Sequence, residues 1–359
     1  MLRHLETLVA FDTRNPPRAI SAAGIFDYLH AQLSDFRCKV IDHGAGAVSM
    51  LAVRGAPDIV CNVHLDTVPS SPSWSADPLR LRVANGRAIG LGACDIKGAA
   101  ACMLTAAQCT PGDAAILFST DEEANDARCI AAFLAGNHQF ESVLVAEPTR
   151  CEAVLAHRGI SSVELEFRGT AGHASDANAL EASALHQAVR WSARALDHVE
   201  AEAHARFGGL TGLRFNIGRI EGGIKANVIA PTAQVRFGFR PLPSQSVDDL
   251  HARWRSFAAS ESLANYRETF RGAALPVGEG SAAEESRLRA RDLADSLGLP
   301  IGNAVDFWTE AALFSAAGLT ALVFGPGDIV QAHTADEWVA CDQLATATAH
   351  YTRIFGSTA

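Results

Sequence analysis

His64, Asp95, Glu123, Glu147 and His333 are spread over most of a 359-residue chain, yet all five side chains share one kind of chemistry, the binding of a divalent cation. Several of them close short apolar runs: "DIVCNVH", "AAILFSTDEE" and "SVLVAEPT" are rich in Val, Ile, Leu and Ala and stop abruptly in His or carboxylates. Such runs read as buried parallel strands. In an open α/β sheet the binding crevice lies outside the carboxyl ends of the strands, so ligands far apart in sequence converge there. His and carboxylates without thiolate suit a metal used for chemistry more than a closed structural zinc site.

Taken singly, each candidate has a plainer reading. "HLDTVP" sets His64 and Asp66 on the same side of an extended chain, where the Asp66 carboxylate can accept the second ring N–H of a ligating His. A surface loop explains the same spacing. Asp95, in the glycine-flanked "GLGACDIKGA", either bridges two ions through its two oxygens or simply caps the helix that follows. "STDEEA" supplies Glu122 and Glu123, adjacent acids whose side chains diverge, so one ligand and one general base is the economical division; adjacent acids otherwise mark a solvated face. His333 in "QAHTADEWV" would mean nothing alone, and Cys94, beside Asp95, reads as a small buried hydrophobe before it reads as a nucleophile.

The elements that must position these residues alternate β-like runs with helical patterns over the first 150 or so residues, with an Ala-rich helix from Asp95 to about Gln108. That predicts an α/β catalytic domain around a mostly parallel sheet. Near His157 the pattern changes: "ISSVELEFRG", "LRFNIGRI" and "TAQVRFGFR" alternate apolar and polar residues around a helix expected from about Leu180 to Ala205. Half-buried strands with helices predict an inserted α+β domain over residues 158–274, with 1–157 and 275–359 forming the two parts of the catalytic domain. Two domains also suit the length. The 48% hydrophobic and 19% charged content is that of an ordinary globular chain, and a formal net charge of -10 argues against nucleic acid or an anionic membrane as partner. No stretch is long and apolar enough to span a bilayer, the N-terminal residues lack a signal-peptide core, and eight cysteines without a C-x-x-C pair suit reduced thiols. A cytoplasmic protein is expected.

Together, "HLDTVP", "GLGACDIKG", "STDEE", "AEPT", "GTAGHAS", "GGIKANVIA", "FGFRPLP" and "AHTADEW" resemble, in order and over nearly the whole chain, the zinc-dependent aminoacylase and acetylornithine deacetylase family, whose relatives include succinyl-diaminopimelate desuccinylase, carboxypeptidase G and di-zinc dipeptidases. The resemblance implies two divalent metal ions, Zn2+ with Co2+ able to substitute, one held by His64 and Glu147, the other by Glu123 and His333, with Asp95 bridging. It implies Glu122 as general acid/base and an inserted lid domain that makes a homodimer. His173 would reach the partner's active site to help hold the substrate carbonyl, and Asn227 and Arg240 would bind substrate, Arg240 through the α-carboxylate. A surface salt bridge is the plainer reading of Arg240, and an ordinary lid-domain histidine that of His173. The activity implied is removal of the acetyl group from an N-acetyl amino acid of arginine synthesis, N-acetyl-L-citrulline or N-acetyl-L-ornithine. The alternatives are a dipeptidase or aminopeptidase with the same metals, and a non-catalytic metal-binding scaffold. "DIKG" departs from the family pattern in having Ile96 where Met is common, and "DEEANDAR" lacks glycines often found after the paired acids.

Overall fold

The computed structural model describes residues 1–124, 126–259, 262–278 and 280–356. The chain divides into two compact units: Met1–Leu155, Leu288–Gly302 and Thr309–Ala359 form the first, Ala156–Arg287 and Asn303–Trp308 the second.

The first unit is built on a six-stranded sheet in the order Arg37–Asp42, Val48–Arg54, Ala114–Ser119, Ile59–His64, Ser142–Val145, Thr320–Val323. The first two strands form an antiparallel hairpin, and the last four run parallel to one another. The parallel strands are buried almost end to end, which is why their sequences read as unbroken apolar runs. The Ala-rich helix Lys97–Cys109 packs against Leu2–Ala10 and Cys341–Gly356. Its small side chains allow close approach; a Cβ on Gly98 would stand 2.4 Å from the Ala93 carbonyl oxygen.

The second unit carries a four-stranded antiparallel sheet in the order Arg214–Gly222, Thr232–Arg240, Ile160–Arg168, Leu263–Gly272. Buried and accessible residues alternate along Ile160–Arg168 and Thr232–Arg240, as a sheet covered on one face requires. Helices Ala184–Ala201 and Val247–Ser256 bring Trp191 and Trp254 into its core, and the Trp191 Nε1–H donates to the Trp254 carbonyl at 2.7 Å. The helix expected from Leu180 to Ala205 is interrupted: Ala179–Ala182 ends at Ser183, whose Oγ accepts from the His186 N–H and caps a new helix.

This unit extends beyond the expected residues 158–274. Ala283 joins a small apolar cluster with Ala156, Phe207, Leu210 and Leu242. Asp306 pairs with the fully buried Arg158, whose other nitrogens donate to the Thr211 and Gly212 carbonyls at 2.8 and 2.6 Å. These contacts tie 275–287 and 303–308 to the second unit. No helix among the described residues is long and apolar enough to cross a membrane.

Candidate active site

In the first unit, three of the five candidate ligands lie at or just past strand ends. His64 is the last residue of Ile59–His64 and stands in register with Ser119, where the neighbouring strand ends and the turn carrying Glu122 and Glu123 begins. Glu147 follows Ser142–Val145 by two residues; the intervening Ala146 donates its N–H to the Asn62 carbonyl at 2.8 Å. A Cβ on Gly325 would lie 2.6 Å from the Glu147 carbonyl oxygen, so only glycine lets that turn sit so close. Asp95 ends a tight turn before helix Lys97–Cys109, with a cis peptide to Ile96. His333 follows the short 3-10 turn Ile329–Gln331 and adopts a positive φ of 58°.

These turns bring His64, Asp95 and Glu147 into one group and Asp95, Glu123 and His333 into another, with the donor atoms of each group within 4.8 Å of one another. Asp95 belongs to both. Its Oδ1 lies 3.2 Å from His64 Nε2 and its Oδ2 3.4 Å from His333 Nε2, while His333 Nε2 is 3.0 Å from Glu123 Oε1. His64 Nε2 and Asp95 Oδ1 are buried and make no hydrogen bond despite their proximity. Leaving such atoms unsatisfied costs about 1–3 kcal/mol each. A cation between them removes that cost, so the donor set fits a pair of divalent ions sharing one carboxylate.

The electrostatics agree. Burial pushes Glu147 well above the ordinary carboxylate range, with Asp95, Glu122 and Glu123 adding to it against His64; it also raises Glu123, against the pull of His333. Burial opposes charge on His64, yet the carboxylates of Asp66 and Asp95 raise it well above its ordinary value. Hydrogen bonding to Asp95 and Glu123 lifts His333 to about 10. Asp95 is itself buried but is held below its usual range by His333 and His64. Without cations the cluster keeps protons to balance its carboxylates; divalent ions supply that charge and displace them.

Glu122 is different. It belongs to neither group, and its carboxyl makes no hydrogen bond among the described residues. Burial raises it well above the ordinary range, and Glu123, Glu310 and Asp95 add to the effect against His64. The Asp66 carbonyl lies 3.1 Å from His64 Nδ1 and the carboxylate Oδ1 3.5 Å from it. The Asp66 Oδ2 accepts from Asn15 Nδ2 and from the Glu123 N–H, both at 3.1 Å. It thereby fixes the turn that carries the paired glutamates.

His173, Asn227 and Arg240 belong to the second unit. His173 pairs across a short ladder with Val228, and Ala174 N–H donates to the Asn227 carbonyl at 3.1 Å, so His173 and Asn227 are neighbours. His173 is exposed, with Nδ1 2.7 Å from Ser175 Oγ. Arg240 ends its strand and lines a cavity of about 290 Å³ with Arg214, Asn216 and Ser162. Its guanidinium has no hydrogen bond or ion pair among the described residues, and burial pulls its pKa down.

Residues 60–357 match the model of peptidase family M20/M25/M40. The chain belongs to that family. It is 68% identical over 344 residues to the N-acetyl-L-citrulline deacetylase of Xanthomonas campestris, covering 96% of this chain and 94% of that protein. It is 31% identical to the acetylornithine deacetylase of Myxococcus xanthus, covering 95% and 92%. The crystal structure of the YXEP protein of Bacillus subtilis, described as a dinuclear metal-binding peptidase of the M20 family, shares the fold with a TM-score of 0.66 at 13% identity, over 99% of this chain and 97% of that one.

Around this cluster stand residues that the motifs did not single out. Glu337, 2% exposed, accepts three backbone N–H groups of the turn ending in Asp95. Glu310, also 2% exposed, faces Ser119 and Asn62 behind the sheet end. Lys97, fully buried, donates to the Phe11 carbonyl at 2.9 Å and is pulled down to about 7 by burial. Glu337 at least lay inside a recognised segment, "AHTADEW"; Glu310 in "FWTEAAL" offers no signal beyond an acid at the start of a helix.

Proposed function

We propose that this chain is a metal-dependent amidohydrolase that removes the acetyl group from N-acetyl-L-citrulline in arginine synthesis. The shared Asp95, with one oxygen toward each ligand group and the unligated Glu122 nearby, carries the reading. A purely structural site has no use for such a free carboxylate. The choice of citrulline over ornithine follows the relatives, 68% identity against 31% over nearly the full chain. The dipeptidase alternative has no comparable support.

Two divalent ions, zinc by preference with cobalt able to substitute, would be held by His64, Asp95 and Glu147 and by Asp95, Glu123 and His333. Ions bound there would supply Lewis acidity to the acyl carbonyl and to a water molecule. Glu122 then takes the proton as the nucleophile forms and delivers it to the departing amine, because an amide nitrogen leaves poorly unless protonated. Asp66 keeps Glu122 and Glu123 in place through the Glu123 N–H. In the second unit the unpaired Arg240 guanidinium suits the substrate α-carboxylate, which it can grip with two parallel hydrogen bonds; His173 suits a developing oxyanion, and Asn227 a further polar contact to substrate.

We assign a homodimer contact to the second unit. Val189 and Leu196 are 54% and 47% exposed on helix Ala184–Ala201, and Arg214–Gly222 is a sheet edge with Ile220 41% exposed. All eight cysteines are free, as in a reducing cytoplasm, which we take as its compartment. The test is kcat/KM for N-acetyl-L-citrulline, N-acetyl-L-ornithine and dipeptides with zinc or cobalt supplied. N-acetyl-L-citrulline should be the best substrate; a tenfold preference for acetylornithine, about 1.4 kcal/mol, overturns the side-chain choice, and a preference for dipeptides overturns the reaction class.

A further inference from the structure

Gly92, Cys94 and Asp95 point their backbone N–H groups at one spot, and the carboxylate of Glu337 fills it. Oε2 accepts from Gly92 at 2.9 Å, and Oε1 accepts from Cys94 at 2.8 Å and from Asp95 at 2.9 Å. The turn is closed by Ala93 N–H to the Gly90 carbonyl at 3.0 Å and Lys97 N–H to the Gly92 carbonyl at 2.7 Å. Gly92 has a φ of 76°, the left-handed conformation that turns its N–H toward the carboxylate. Without Glu337 three buried donors would be orphaned, and the turn could not keep this shape.

Glu337 also belongs to the segment that carries His333, four residues earlier. Its own carbonyl accepts from Gly90 N–H at 3.0 Å, and the following strand Trp338–Ala340 pairs with Arg87–Ile89. The backbone leading into Asp95 and the backbone leaving His333 are therefore fixed in one frame. From this we infer that Glu337 is a positioning residue: it touches neither ion nor substrate, but holds the Asp95 turn in its metal-binding shape before any ion arrives. The inference rests on the reading of Asp95 as the shared ligand. A carboxylate is required for geometric reasons. Glutamine at 337 would keep the size, but its amide nitrogen would confront one of the three N–H donors.

The test is the Glu337→Gln protein, with zinc affinity measured by competition with a chromophoric chelator and coordination followed by the cobalt absorption spectrum. Far-UV circular dichroism and the melting temperature of the chelated protein report on the fold. The expected result is a parental fold, zinc affinity lower by about tenfold or more at both sites because Asp95 serves both, and an altered cobalt spectrum. Parental zinc affinity, or weakening at one site alone, overturns the inference. Asp95→Ala is measured alongside. If Asp95→Ala retains two ions at parental affinity, the shared-ligand reading fails on its own account, whatever Glu337→Gln does. If Glu337→Gln does not fold, hydrogen exchange in the chelated parent decides. Slow exchange of the Gly92, Cys94 and Asp95 amides supports a turn built in advance; fast exchange there overturns it.

Discussion

Glu310 offers a measurable pH dependence. The residue is 2% exposed; its Oε2 accepts from Ser119 Oγ at 3.2 Å, and Oε1 is buried with no hydrogen bond. The Asn62 amide stands 3.1 Å from Oε2 when its nitrogen faces the carboxyl. Turned the other way, its oxygen can accept from a protonated Glu310, so the neutral acid is satisfied here as well as the ion. Burial raises the Glu310 pKa from 4.5 to about 8, with the Asp121 and Asp66 carboxylates adding to it against His64. A raised acid binds its proton more tightly in the folded protein than in the unfolded chain. Its contribution to stability is therefore complete below about pH 4.5, declines as the pH rises and is gone above about pH 8. At about 1.4 kcal/mol per pH unit, the loss across that interval approaches about 5 kcal/mol.

Glu310→Gln removes the titration while keeping shape and one hydrogen-bonding oxygen. Urea unfolding of the chelated protein, followed by circular dichroism at pH 5, 6.5 and 8, should give variant and parent within about 1 kcal/mol at pH 5. The variant should then gain on the parent by several kcal/mol at pH 8. Taking the difference between the two proteins cancels the other titrating groups, apart from those that feel the Glu310 charge. A difference that stays constant from pH 5 to 8 would refute the reasoning, because Glu310 would then share one pKa in both states.

Three further outcomes are expected. Glu122→Gln should lower kcat by about 10²–10⁴ while metal analysis still finds two ions, whereas His64→Ala, Glu147→Ala or His333→Ala should lose bound metal; loss of an ion from Glu122→Gln would make it a ligand. The parent should hydrolyse N-acetyl-L-citrulline far better than its amide, by a penalty of about 2–5 kcal/mol for leaving the Arg240 guanidinium unpaired, and Arg240→Ala should erase most of the difference. Equal kcat/KM for acid and amide in the parent would remove Arg240 from substrate binding. Val189→Asp combined with Leu196→Asp should convert a dimer to monomer in sedimentation equilibrium; a parent that is already monomeric at micromolar concentration would end the dimer assignment.

The candidate metal ligands were legible because parallel strands must be buried on both faces, so Ile59–His64, Ala114–Ser119 and Ser142–Val145 read as apolar runs and their polar endings stand out. The alternation in Ile160–Arg168 and Thr232–Arg240 announced the second unit for the converse reason. What failed was local geometry. The cap at Ser183 divided a helix whose apolar period ran on. The extent of the second unit was hidden because Asp306, a surface-like acid in sequence, is tied to the buried Arg158 across 148 positions.

The glutamates show where the limit lies. Glu122, Glu123, Glu147, Glu310 and Glu337 carry the same carboxyl group, and sequence separates only those that directly follow an apolar strand. Glu123 and Glu147 belong to candidate ligand groups because strand ends carry them to Asp95, while Glu122, one residue away, belongs to neither and keeps a free carboxyl. Glu337 is defined by three N–H groups that point inward only because Gly92 adopts a positive φ, and Glu310 by a proton that burial holds in place. Neither condition leaves a mark in residue type or spacing. Ligands are selected by their chemistry and so can be read as letters; the groups that hold them in position act through backbone direction and dielectric surroundings, which exist only once the chain has folded.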